Sequence, residues 1–125
     1  MKKIKMMKKN YEFKAVLSKG KYYSGNCIEA FIQKQNKAEI NTLGIAIGVK
    51  IGKAVTRNHI KRLIRENYRL QEETIKTGYR IVFLWKKKVE VNQATFQSIQ
   101  KDMKKIFDKA KLIEENHEKI TNKAN

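Results

Sequence analysis

The feature that most narrows the folds open to this chain is the way its charge is sorted. Lys and Arg outnumber Asp and Glu by 29 to 12, and the excess falls in blocks: residues 1–22 carry +7, 50–70 carry +6 and 86–111 carry +5. Residues 23–49 and 71–85 each sum to zero, and the stretch from 112 is −1. Neutral apolar segments that alternate with basic ones predict a core made of the former and a coat made of the latter. A length of 125 residues suits one domain, and a domain of that size buries roughly two thirds of its unfolded surface. Surplus positive charge favours polyanionic partners, meaning nucleic acid or an acidic membrane surface. The single cysteine, Cys27, can form no internal disulfide, which fits a reducing compartment. No apolar run follows the basic start "MKKIKMMKKN" as a signal peptide requires, and none approaches the ~18 residues of a spanning helix. The expectation is a soluble, cytoplasmic protein with no membrane partner, with residues 1–9 and those from about 115 as mobile tails on a single domain.

Periodicity sets the elements. Asn10 is a candidate cap for a short helix with Phe13, Val16 and Leu17 on one side and Gly20 as its stop. "NCIEAFIQ" alternates as a strand, with Ile28, Ala30 and Ile32 on one face and Phe31 among polar neighbours on the other. "LGIAIGV" reads as a second strand, Leu43, Ile45, Ile47 and Val49 opposing Gly44, Ala46 and Gly48. That row of small residues leaves a groove, either for a foreign backbone or for a closely packed helix of the protein itself. "YRIVFLW" is apolar on both faces, as a central strand is. Asn92 is a candidate cap for a last helix whose Phe96, Ile99, Met103, Ile106, Phe107, Ala110 and Ile113 keep helical spacing. The order α, β, β, α, β, α is that of an α+β fold with helices packed on a small sheet.

Between the second and third strands lies "GKAVTRNHIKRLIRENYR", which holds four of the five arginines, Arg57, Arg62, Arg65 and Arg69. On a helical wheel these join Asn58 and Lys61 on one arc, while Ile60, Leu63, Ile64 and Leu70 occupy the opposite one. Lys50 and Lys53 lead into it. The row from Arg57 to Arg69 would span ~18 Å at ~1.5 Å per residue. Five like charges on one face repel one another, and only Glu66, placed off the arc, stands against them. Such a face is stable when an anion lies on it. Arginine suits a phosphate because its planar fork makes two parallel hydrogen bonds and also stacks on bases.

Other uses of this charge fit poorly. "GVKIGKA" has too few residues between its glycines for a phosphate-binding P-loop, and Ala54 stands where Ser or Thr would hold the metal. The apolar arc lacks the aromatics of a membrane-surface helix, and flanking strands argue against a helix-turn-helix DNA reader. Single-stranded RNA, whose bases stack on aromatic or arginine side chains, remains. With His59 and His117 the only histidines and no metal-ligand cluster, the chain carries no catalytic residue and no metal ligand of its own.

"KIGKAVTRNHIKRLIRE" resembles the signature of the protein subunit of bacterial ribonuclease P, and "KKNYEFKAVLSKGK" resembles that family's first helix. The resemblance implies an α/β sandwich with a mainly antiparallel sheet of about four strands and a left-handed βαβ crossover. It implies a ribonucleoprotein endonuclease that removes the 5′ leader of precursor tRNA, in which catalysis and Mg²⁺ belong to the RNA subunit and one protein serves each RNA. Carried over, Lys50, Lys53, Arg57, Asn58, Lys61, Arg62, Arg65 and Arg69 face the catalytic RNA, and Phe13, Leu17 and Phe31 line a cleft for the leader. The chain departs from the pattern at His59, where the family has a second Arg, at Leu17 and Phe31, where it often has Phe and Tyr, and at Val49, where a lysine often stands.

Overall fold

The computed structural model describes residues 4–35 and 40–114. Strands β1 (Ile4–Met6), β2 (Lys21–Ser24), β3 (Ile28–Lys34), β4 (Asn41–Ala46) and β5 (Tyr79–Trp85) form one sheet in the order β1-β4-β5-β3-β2. Helices α1 (Asn10–Lys19), α2 (Ala54–Gln71) and α3 (Phe96–Lys109) complete an α+β domain. The sheet is mixed and five-stranded rather than mainly antiparallel with four: β4 runs parallel to both β1 and β5, and β3 antiparallel to β2 and β5. The two strands that periodicity did not mark, β1 and β2, are three and four residues long, too short to show alternation. β1 lies inside the stretch expected as a mobile tail; its pairing with β4 and the burial of Met7 tie residues 4–7 to the sheet. The stretch from 115 lies outside the described residues.

Alternation sorts the sheet's two faces. Ile28, Ala30, Ile32, Leu43, Ile45, Ile81, Phe83 and Trp85 meet Ile60, Leu63 and Ile64 of α2 and Ile99, Met103, Ile106 and Phe107 of α3 in the main core. On the other face a smaller cluster joins Val16 of α1 to Met7 and Val82, with Phe13, Phe31 and Leu84 packed against it. Gly44 belongs to that second face: a Cβ there would lie 2.8 Å from the Phe13 ring. The groove of small residues is therefore filled at Gly44 by the protein's own helix. Gly20, at the end of α1, is required by close approach too, since a Cβ would sit 2.6 Å from the Val16 carbonyl oxygen and 3.2 Å from the Ile32 backbone.

The hand of the β4–α2–β5 crossover follows from Leu43. Its side chain lies in the core with α2, and its carbonyl accepts the Met7 amide at 2.8 Å, so its peptide groups face β1. For an L residue on a strand running upward with its side chain toward the viewer, the amide and carbonyl lie to the right. Seen from α2, β1 is thus to the right of β4 and β5 to the left. The connection is left-handed, against the right-handed rule that about 98% of such crossovers obey.

Buried polar groups lock the layers. The Asp102 carboxylate on α3 accepts the backbone N–H groups of Asn26, Cys27 and Ile28 at 2.9, 2.7 and 3.1 Å, pinning the β2–β3 turn. Asn41 donates to the Tyr68 hydroxyl at 2.8 Å and the Lys76 carbonyl at 3.0 Å, and accepts the Tyr79 N–H at 2.9 Å. Burial pushes the Tyr68 hydroxyl up to about 12. Several boundaries differ from expectation. α1 begins at Asn10 itself, with Lys9 at the cap position. α3 is capped by Thr95, reciprocally with Ser98, while Asn92 sits in the preceding turn. Ile113 lies past the end of α3, in a bridge to Ile75. Val49 leaves β4 for an exposed turn.

Candidate nucleic-acid interface

α2 carries the basic face on a rigid rod. Its start follows Gly52, and its end is closed by Thr74, whose hydroxyl donates to the Gln71 carbonyl at 2.9 Å. Asn67 Nδ2 reaches the Leu63 and Phe96 carbonyls at 3.0 and 3.3 Å and ties the rod to α3. Ile60, Leu63, Ile64, Asn67 and Tyr68 are buried. The buried arc thus extends to Tyr68, which falls between Arg57 and Lys61 on the wheel, and Leu70, expected in the core, is 68% exposed. This turn of the arc makes Arg57 and Lys61 half-buried.

None of the eight predicted RNA contacts is buried. Lys50, Lys53, Asn58, Arg62, Arg65 and Arg69 are exposed. Arg57 donates from Nη1 to the Gly52 carbonyl at 2.7 Å, so part of its fork braces the turn that opens the helix. Glu66, expected to stand apart from the arc, pairs with Arg62 at 3.3 Å. Both partners are solvent-exposed, where such a pair is worth at most about 1 kcal/mol, and among the described residues no carboxylate pairs with Arg65 or Arg69.

The second surface lies across the sheet. α1 covers part of the face bearing Phe31, and beside it runs a trough floored by Phe31, Leu84 and Ala46, all half-buried. Phe13 packs onto the same cluster, while Leu17 stays outside it, 37% exposed on the rim. Sequence reasoning missed Tyr22. Register places it opposite Phe31, with ring centroids 5.2 Å apart, and 51% of it is exposed. Its hydroxyl donates to Glu29, whose carboxylate pushes the Tyr22 pKa up and keeps the phenol neutral. The signal available was "KYYS", two β-prone tyrosines between Gly20 and Gly25. Among the described residues no three His, Cys, Asp or Glu side chains gather as a metal site, and no helix is long and apolar enough to cross a membrane.

A basic rod and an aromatic trough on opposite faces of one sheet give an α+β domain the features that RNA binding by charge and stacking requires. Comparison with known proteins makes this specific. The family profile described as Ribonuclease P matches residues 1–111. The ribonuclease P protein component of Clostridioides difficile is 38% identical over 109 residues, covering 86% of this chain and 93% of that protein. That of Natranaerobius thermophilus is 34% identical, covering 93% and 98%. The structure superposes on the Staphylococcus aureus RNase P protein with a TM-score of 0.77, at 27% identity over 90% of this chain and all of that one. With the Thermotoga maritima RNase P protein the TM-score is 0.70, at 26% identity over 79% and 91%. The chain belongs to the ribonuclease P protein family, and it serves as the protein component of an RNA-catalysed endoribonuclease of tRNA processing.

Proposed function

We propose that the protein grips two RNAs at once, the catalytic RNA along α2 and the 5′ leader of precursor tRNA in the trough beside α1. The observation that carries this is the division of labour across the sheet: exposed guanidinium groups on one side, half-exposed aromatic rings on the other. Along α2, Arg62, Arg65 and Arg69 bind phosphates, with Asn58, Lys61, Lys50 and Lys53 extending the track and Arg57 contacting RNA with the part of its fork not held by Gly52. In the trough, Phe31 and Tyr22 stack leader bases, with Phe13 and Leu17 as the opposite wall. One protein per RNA subunit suffices, because a single chain presents both surfaces. Among the described residues no three His, Cys, Asp or Glu side chains gather as a metal site, and Mg²⁺ is assigned mainly to the RNA subunit. The setting is the cytoplasm.

The test is reconstitution of the full chain with the RNA subunit at low Mg²⁺. Cleavage of precursor tRNA should be stimulated, and the complex should bind leader-bearing tRNA more tightly than mature tRNA. Equal affinity for the two would leave a structural RNA-binding role and remove the leader from the trough.

A further inference from the structure

The fifth arginine, Arg80, lies outside α2, on the α1 side of the sheet. Register sets Lys5 of β1 beside Thr42 of β4 and Thr42 beside Arg80 of β5, a polar row on the face that α1 covers. The row is two residues along each strand from the Gly44–Val82–Phe31 row on which α1 rests. Together with Lys8, Lys9, Tyr11 and Glu12 from the start of α1, Lys5 and Arg80 line a pocket of about 700 Å³. It shares none of its lining with the aromatic trough. Four cations face a single carboxylate there. Arg80 Nε is buried and meets no acceptor among the described residues, although a buried donor left unpaired is costly. Tyr11 is 66% exposed, and the Lys9 ammonium stands 5.7 Å from its ring centroid.

We infer that this pocket is a further RNA site, one that takes a backbone phosphate on Arg80, Lys5 and Lys8 and the adjoining base on Tyr11. Its volume lies within the range of pockets that hold small ligands, ~300–1,000 Å³, enough for a nucleotide unit. Arginine provides the directional fork and the lysines the field, while the exposed phenol ring offers the flat face that a splayed base requires. The inference rests on the RNA-binding role proposed above. The occupant is a single-stranded segment either of the leader or of the RNA subunit, chemically the same ligand from two sources.

The test uses the full chain with the RNA subunit and precursor tRNA. Lys8→Ala/Lys9→Ala removes two exposed charges at the pocket, and Lys104→Ala/Lys105→Ala removes two exposed charges from α3, so overall charge is matched and neither pair disturbs a core. Fluorescence anisotropy over a salt series reads protein assembly with labelled RNA subunit and holoenzyme binding to labelled precursor tRNA. The pocket pair should weaken at least one of these by about fivefold or more and flatten its log–log salt slope by about 0.7, the value for one phosphate contact. The α3 pair should change neither. Loss confined to precursor tRNA identifies the leader as occupant, and loss in assembly identifies the RNA subunit. Tyr11→Ala should lower the same affinity about fivefold or more with the slope intact, as loss of a base stack does. Equal effects of the two lysine pairs, or none from the pocket pair, overturn the site. Arg65→Ala in the same series keeps the outcomes separable: if it weakens assembly while the pocket pair is silent, the pocket alone fails.

Discussion

Replacing Asp102 by Ala should be among the most destabilising single changes in the chain, although Asp102 is buried and belongs to neither proposed RNA surface. Its carboxylate accepts three backbone N–H groups, those of Asn26, Cys27 and Ile28. Asn26 is exposed and can turn to water, but Cys27 and Ile28 are buried. Each buried donor left unpaired costs about 1–3 kcal/mol. Removing the carboxylate also relieves the expense of burying a charge, so the net loss should be about 2–4 kcal/mol, a large part of the ~5–15 kcal/mol typical of a domain. An unfolding entropy near 2.1 cal/mol/K per residue gives this chain roughly 0.26 kcal/mol/K, and Tm should fall by about 8–15 °C. Asp102→Asn keeps one oxygen acceptor and should lose about half as much. Thermal and urea unfolding measure the change, and amide exchange should quicken in β2, which carries Tyr22. A Tm drop under about 4 °C for Asp102→Ala would show that the β2–β3 turn finds other acceptors, and the anchoring role would be wrong.

If about five phosphates lie on α2, log affinity for RNA should fall against log salt with a slope of about −3.5, at ~0.7 per contact, and Arg65→Ala should flatten it by about 0.7; an unchanged slope removes Arg65 from the contact set. Tyr22→Ala should weaken binding of leader-bearing tRNA by about fivefold or more while leaving mature tRNA unaffected, since a base stack contributes ~1–3 kcal/mol; equal weakening of both would place Tyr22 elsewhere. Tyr68 has a folded pKa of about 12 against an ordinary 10.0. The protonated phenol is thus favoured by the fold, and its contribution is complete below about pH 10 and lost as pH rises toward about 12, amounting to ~2–3 kcal/mol. Urea unfolding of the wild type and Tyr68→Phe at pH 9 and above should show a steeper decline for the wild type, and parallel curves would refute the assignment. Gly20→Ala should cost ~1–3 kcal/mol in urea unfolding, because backbone on two elements must move to admit the methyl group; a neutral change would mean that α1 shifts freely.

Long elements with a clear apolar period were legible in the sequence: β3, β5 and α2 sit where their patterns put them, while β4 and α3 are present but end short of Val49 and Ile113. β1 and β2 were not, because "IKM" and "KYYS" are too short to alternate; β1 owes its extended form to β4, distant in the chain, and β2 to its hairpin with β3. Tyr22 was hidden for the same reason, since only register brings it to Phe31. The basic arc of α2 was visible from spacing, yet its edge was misplaced: Tyr68 is buried by its contacts with Asn41 and Phe107 rather than by its place on the wheel. Asn92 looked like a helix cap, but the helix starts where Thr95 and Ser98 can satisfy each other's backbone groups.

One layer of strands separates α1 from α2, and this has a mechanical meaning. On the proposed two-RNA reading, polynucleotides seated on opposite sides of a hydrogen-bonded slab would keep a constant offset, which exchanging surface residues would leave unaltered. The domain would then work as a jig: either clamp could be tightened or slackened by mutation while the alignment between the two workpieces stays where the strands hold it.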